Sequence, residues 1–188
     1  MEKQILIFVS KLFICLFFLI SCNNFNYSKK NDGLVFFVTK GKDSIINGIV
    51  LRDTTSLLKN LGDVSDLISD DINMGECVTL VNESGNEFFK MRREYGGYKN
   101  QYDYFFVTKT NSSKKIKKIK DLNFKSNNGA YLGMSEIEFK EKYDLRKFIK
   151  EVKGNISTYI FKDVDDIYQS KFTFDQSKLI EFEFGYQD

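Results

Sequence analysis

Between Lys171 and Phe184 the chain alternates so regularly that few structures are open to it. Lys171-Phe-Thr-Phe-Asp175 and Lys178-Leu-Ile-Glu-Phe-Glu-Phe184 read as two strands joined by the turn Asp175-Gln-Ser-Lys178. Phe172 and Phe174 fall on one face, as do Ile180, Phe182 and Phe184, while Lys171, Thr173, Glu181 and Glu183 fall on the other. An antiparallel sheet with one apolar face has to be covered on that face, and the upstream sequence offers helices to do it. Ser135 is placed as an N-cap with Glu138 completing a capping box, and Phe139 and Tyr143 stack at i and i+4. Leu145, Phe148, Ile149 and Val152 then follow the i, i+3, i+4, i+7 spacing of a second helix, ended by Gly154, and Thr158–Lys162 reads as a further strand.

The same order recurs upstream. Shifting the sequence by 81 residues lays Gly48–Asp63 on Gly129–Asp144, with Gly, Leu, Lys and Asp identical, and carries Val64, Leu67 and Ile68 onto Leu145, Phe148 and Ile149. The first copy has Thr54 as cap, Leu58 and Leu61 inward, and a short helix over Val64–Ile68. Strands follow around Cys77–Val81, Glu87–Arg93 and Tyr102–Lys109, whereas Lys115–Lys120 does not alternate. The expected fold class is therefore α+β, in two tandem modules, each with two short helices packed on an antiparallel sheet. The expected boundaries are residues 34–120 for the first module and 121–188 for the second.

Composition removes whole classes of chemistry. The 188 residues contain no histidine, which excludes Ser-His-Asp and Cys-His nucleophiles and imidazole-held metals. A net charge of +2 does not argue for nucleic acid. Charge is instead segregated: residues 60–87 carry seven acidic groups and no lysine or arginine, and residues 109–125 carry seven lysines against Asp121. The two segments are expected to be solvated and to face each other, the alternative being a basic strip aimed at anionic head groups or an acidic partner.

The N-terminus reads as an address. Lys3 and Lys11 precede the nine-residue apolar run Leu12–Ile20, too short to span a bilayer but of the length of a secretory signal's apolar region. The run ends in Leu19-Ile20-Ser21-Cys22, which resembles the lipobox of bacterial lipoproteins. That resemblance implies cleavage before Cys22, with the signal peptide at 1–21, acyl chains such as palmitate on Cys22, and a polar tether over 22–33. It also implies a lipid-anchored place in the cell envelope, at the outer membrane. With Cys15 removed and Cys22 acylated, Cys77 is left alone, so no intramolecular disulfide is expected, and its place in an alternating run makes it a buried core residue.

Tyr131-Leu-Gly-Met-Ser-Glu136, with its helices and sheet, resembles the small protein A family of outer-membrane lipoproteins, and two such units in tandem resemble the β-lactamase inhibitory protein fold. The resemblance implies helices on one sheet face and a history of binding proteins, and it transfers no functional residue.

Other candidate chemistry is sparse. Ser56-x-x-Lys59 and Ser112-x-x-Lys115 match the nucleophile motif of penicillin-recognising enzymes, but Ser-Asp-Asn and Lys-Thr-Gly are missing. Asp70-Asp71 and Asp163 with Asp165-Asp166 lack the spacing of a calcium loop. No catalytic residue, cofactor or metal ligand is expected. The one stretch with the composition of a binding site is Arg92–Tyr104, in which Arg92, Arg93, Tyr95, Tyr98 and Tyr102 surround Gly96-Gly97. The expected function is a non-catalytic envelope lipoprotein that binds a protein or glycan. The alternatives are an inhibitor or immunity-type lipoprotein and a carboxylate-only hydrolase such as a glycosidase.

Overall fold

The computed structural model describes residues 42–72, 74–93, 98–165 and 167–186. They fall in one compact unit, Val38–Asp188. Cys22 and the signal and tether segments lie outside the described residues.

A two-stranded hairpin comes first, β1 (Ile45–Ile46) and β2 (Ile49–Val50), turned at Asn47-Gly48, where both residues have positive φ. Helix α1 (Thr54–Leu61) follows, then a 3₁₀ turn at Ser65–Leu67 and the strands β3 (Ser69–Asp71), β4 (Gly75–Val81), β5 (Phe88–Arg92), β6 (Tyr104–Thr108) and β7 (Ile116–Lys118). Helix α2 (Glu136–Lys142) and a 3₁₀ turn at Leu145–Lys147 precede β8 (Ile149–Lys153), β9 (Ile156–Lys162), β10 (Tyr168–Asp175) and β11 (Lys178–Tyr186). All strands from β3 onward share one nine-stranded sheet, ordered β3-β4-β5-β6-β11-β10-β9-β8, with β7 added parallel to β4.

This overturns the expected pair of tandem modules. The molecule is mostly antiparallel sheet, with only two α-helices among the described residues rather than four. The order of helix, 3₁₀ turn and four-stranded meander does occur twice, but both meanders belong to one sheet joined through β6 and β11. The second helix of each half is a single 3₁₀ turn followed by a strand. Ile149 and Val152, which helical spacing placed inward, are exposed on the edge strand β8, where β-branched residues are at home. The ungapped 81-residue frame fails too, because Leu58, its partner for Phe139, is 44% exposed while Leu57 is buried. The α1 cap is Asp53, whose carboxylate accepts from the Thr55 amide, and not Thr54. Asp53 to Ser135 and Leu57 to Phe139 are both 82 residues apart, and the frame slips between helix and strands.

Other expectations hold locally. Ser135 caps α2 by accepting from the Glu138 amide at 3.1 Å, although Glu138 does not close the box, its carboxylate accepting from the Tyr131 hydroxyl instead. Phe139 and Tyr143 stack with ring centres 4.4 Å apart. The β10–β11 hairpin turns at Gln176-Ser177, both at positive φ. Phe172, Phe174, Phe182 and Phe184 are all fully buried. Ile180 is the exception: a shift of register at Thr173/Phe174 sets Leu179 opposite Phe174, so Leu179 enters the core in its place.

The core lies between the sheet and its two helices and runs without interruption across the seam. Phe89 meets Phe105 edge-on at 5.0 Å, Phe105 meets Phe184 at 5.7 Å, and Phe139 packs on both Phe172 and Phe174. At the end of the seam Gly185 pairs with Tyr104, and a Cβ placed on Gly185 would stand 2.3 Å from the Asp103 carbonyl oxygen and 2.6 Å from the Tyr104 Cα. The opposing atoms are backbone, so neither strand can yield alone. Gly185→Ala is expected to cost about 2–3 kcal/mol, read as a lowered urea midpoint at unchanged slope. An unchanged midpoint would mean that the seam tolerates the methyl group and is not closely packed.

Candidate binding surface

The stretch singled out in the sequence divides into support and display. Tyr102 is buried, and burial pushes its phenol up to about 12. It therefore belongs to the base of the turn and not to its surface. Arg92 is half-buried with its guanidinium 4.8 Å from the Tyr104 ring centre. Arg93 is exposed. Tyr95, with Gly96 and Gly97, lies outside the described residues. Tyr98 is 84% exposed.

The segment carrying Tyr98 is pinned on both sides. The Gln101 amide donates to the Tyr98 carbonyl at 3.0 Å, and the Gln101 side chain takes the Tyr98 amide and donates to the Arg52 carbonyl. Asn100, buried at a φ of 60°, accepts from the Val64 amide and donates to Asp63. Lys99 pairs with Asp63 at 2.7 Å, and that ammonium, with the Ser65 amide and hydroxyl, holds the Asp63 carboxyl well below the usual carboxylate range. Asn tolerates the left-handed backbone that the turn requires. The arrangement fixes a large amphipathic ring in water on an ordered turn. Arg93 and Tyr102, from the same stretch, line with Ile68, Glu76 and Cys77 a pit of about 20 Å³, room for roughly one water.

The face of the β4–β6 half turned away from the main core carries a buried polar cluster that escaped sequence reading. Lys90 and Asp71 form an ion pair at 2.7 Å with both side chains fully buried. The Ser112 and Ser113 hydroxyls donate to the same Asp71 oxygen at 2.8 and 3.1 Å, and the Ser113 and Thr79 hydroxyls are 2.6 Å apart. Cys77 lies beside Thr79, and burial pushes its thiol up, as suits an unreactive core residue. The signal was a lysine inside the apolar strand Phe88-Phe89-Lys90-Met91, yet its partner is 19 residues away and could not be named from spacing. Ser112 is thus committed to Asp71, and Lys115 donates to the Asp66 carbonyl, so this Ser-x-x-Lys pair is not assembled. Ser56 bonds to the Asp53 carbonyl and takes the Val50 amide at the start of α1. Among the described residues no group of three or more acidic or cysteine side chains is placed to hold a metal.

A larger groove of about 320 Å³ runs between α1 and the segment after β7, lined by Ile49, Leu61 and Ile119 with Asn47, Lys117 and Lys120. Its polar groups are mostly spent on the fold: Lys117 donates to the Leu61 carbonyl, and Asn47 donates to Asp121 and to the Asn123 carbonyl. Lys115 and Lys117 thereby bring the basic segment against the acidic one, through backbone carbonyls rather than carboxylates.

No protein-family model matches the chain, and no curated protein does. A solved structure of an extracellular protein containing a SCP domain, from Bacillus anthracis str. Ames, aligns with a TM-score of 0.41 at 12% identity, over 85% of this chain and 50% of that one. The chain spans about half the length of that protein. No helix among the described residues is long and apolar enough to cross a membrane.

The buried pair makes a sharp stability prediction. Asp71→Asn leaves the Lys90 ammonium without its counter-charge and is expected to cost about 3–5 kcal/mol in urea unfolding, with partial recovery when Lys90→Met is added. A single variant as stable as the parent would show that the pair is not closed to water.

Proposed function

We propose that this chain is a bacterial lipoprotein, anchored at the outer membrane through acylated Cys22, that acts by binding a protein or glycan partner in the envelope and not by catalysis. The anchoring half rests on Leu19-Ile20-Ser21-Cys22 at the end of an apolar run of signal length. The binding half is carried by Tyr98, a fully presented aromatic on a turn held by Asn100, Gln101 and the Lys99–Asp63 pair. An ordered turn has already lost the conformational freedom that binding would otherwise remove, and tyrosine offers a large contact area with few rotors. Arg93, exposed beside the pit, adds a guanidinium for a carboxylate or a backbone carbonyl. An exposed tyrosine on an ordered turn also suits an inhibitor that enters the cleft of one enzyme, the second reading.

Two measurements address the two halves separately. Metabolic labelling with a fatty acid should mark the wild-type protein and not Cys22→Ser, and an unlabelled wild type would remove the lipoprotein assignment. Tyr98→Ala should change stability by less than about 0.5 kcal/mol while reducing what crosslinks to the protein in intact envelopes. An unaltered crosslinking pattern would rule out this turn as the contact.

A further inference from the structure

The lysine-rich segment 109–125 takes up an unusual place in the sheet. After β6 the chain passes the Asp71–Lys90 cluster at Ser112 and Ser113 and then runs parallel to β4, pairing Thr79 with Ile116 and Val81 with Lys118. It stays on β4 past the strand's end, with the Ile119 amide on the Val81 carbonyl and the Glu83 amide on the Asp121 carbonyl. The side chains alternate. Lys117 and Ile119 turn toward the core, Ile116 and Lys118 turn out, and Lys120, past the end of β7, is exposed at the edge of the groove. Lys109, Lys114 and Lys125 are exposed at the two ends of the same run. None of the seven lysines forms an ion pair with a carboxylate among the described residues.

Lysine on an edge strand commonly serves to repel other strands. That role is met by one or two charges, and it gives no reason to expose apolar side chains between them. Here Leu122 is 76% exposed and Ile116 41% exposed within the basic run. Unpaired lysines interleaved with exposed aliphatic side chains are complementary to an anionic lipid surface, where the ammonium groups meet phosphates and the aliphatic groups reach the acyl boundary.

We infer that the edge formed by Lys114, Ile116, Lys118, Lys120 and Leu122 docks on an anionic phospholipid leaflet and sets the orientation of the domain. The inference rests on the lipoprotein reading, which brings the domain to a membrane. The described chain begins at Lys42, paired with Asp163 and set over the Tyr168 ring at the β9–β10 end of the sheet, away from β4 and β7. Twenty residues separate Lys42 from Cys22 and span at most about 70 Å. A lipid at one end of such a tether holds the domain near the bilayer without choosing which side faces it. The basic edge makes that choice, and with it turns Tyr98 to a fixed bearing.

The chain contains no tryptophan, so Leu122→Trp supplies a single reporter at an exposed site. The full-length lipoprotein, purified from membranes, is reconstituted into phosphatidylcholine vesicles with or without phosphatidylglycerol, and indole emission and quenching by brominated lipid are recorded. With phosphatidylglycerol the emission should move to shorter wavelength and be quenched. Both signals should be lost in neutral vesicles, in the triple variant Lys114→Gln, Lys118→Gln, Lys120→Gln, and on raising salt from about 0.1 to about 1 M, which shortens the screening length from about 10 to about 3 Å. An indole at Ile149→Trp, on the opposite edge, should stay in water throughout. Unquenched Leu122→Trp in anionic vesicles, or quenching that ignores lipid charge and salt, would overturn the inference. Flotation with the vesicles reports the lipid anchor independently, and the salt series on the chain with its lysines intact decides the matter if the triple variant fails to fold.

Discussion

Every other feature of this molecule depends on the pairing of β6 with β11. Five residue pairs, from Tyr104–Gly185 to Thr108–Glu181, join two four-stranded meanders into one sheet. The join is possible because position 185 lacks a side chain where the Asp103 carbonyl and the Tyr104 backbone close in. With the seam formed, the aromatic contacts from Phe89 through Phe105 to Phe184 become one continuous core. Buried aromatic side chains contribute much of a core's apolar area, each about 150–250 Å². No disulfide is needed in such a fold, and the one described cysteine, Cys77, is free and buried.

The alternation of Phe172, Phe174, Phe182 and Phe184 was legible in the sequence because period-two burial is local and redundant. Ile180 was misplaced because a one-residue register shift is set by pairing with β10, which the strand's own residues do not encode. The helical reading of Leu145–Val152 failed for a related reason. Leu145 and Phe148 do pack against the core, but from a 3₁₀ turn and its exit, and the remaining positions of the stripe lie on an exposed edge strand. Short apolar spacings fit either period, and tertiary pairing decided between them. The Asp71–Lys90 pair and the path of residues 109–118 were beyond reach because both are long-range crossings. In the candidate site, exposed Tyr98 was legible from composition, whereas the burial of Tyr102 was not, since tyrosine serves core and surface equally well.

This architecture separates stability from recognition. The apolar side of the sheet is closed by α1, α2 and the β1–β2 hairpin, and the β4–β6 part of the other side is closed by a satisfied polar cluster. What remains for a partner is the outer face of β8–β11 and the rim, where the Tyr98 turn and the basic edge beyond β4 lie. Groups there can change with little consequence for folding, as is usual where recognition is carried by loops on a rigid frame.

The central claim is that the seam makes both halves one cooperative unit. Native-state amide hydrogen exchange of the full chain tests it most directly, by comparing the opening free energies of Leu80 and Val107 on the β4–β6 side with those of Tyr159 and Phe172 on the β9–β10 side. The account predicts a single global value shared by all four, falling in parallel as urea is added. Two distinct values with different urea slopes, one for each half, would show two modules folding separately and would contradict it.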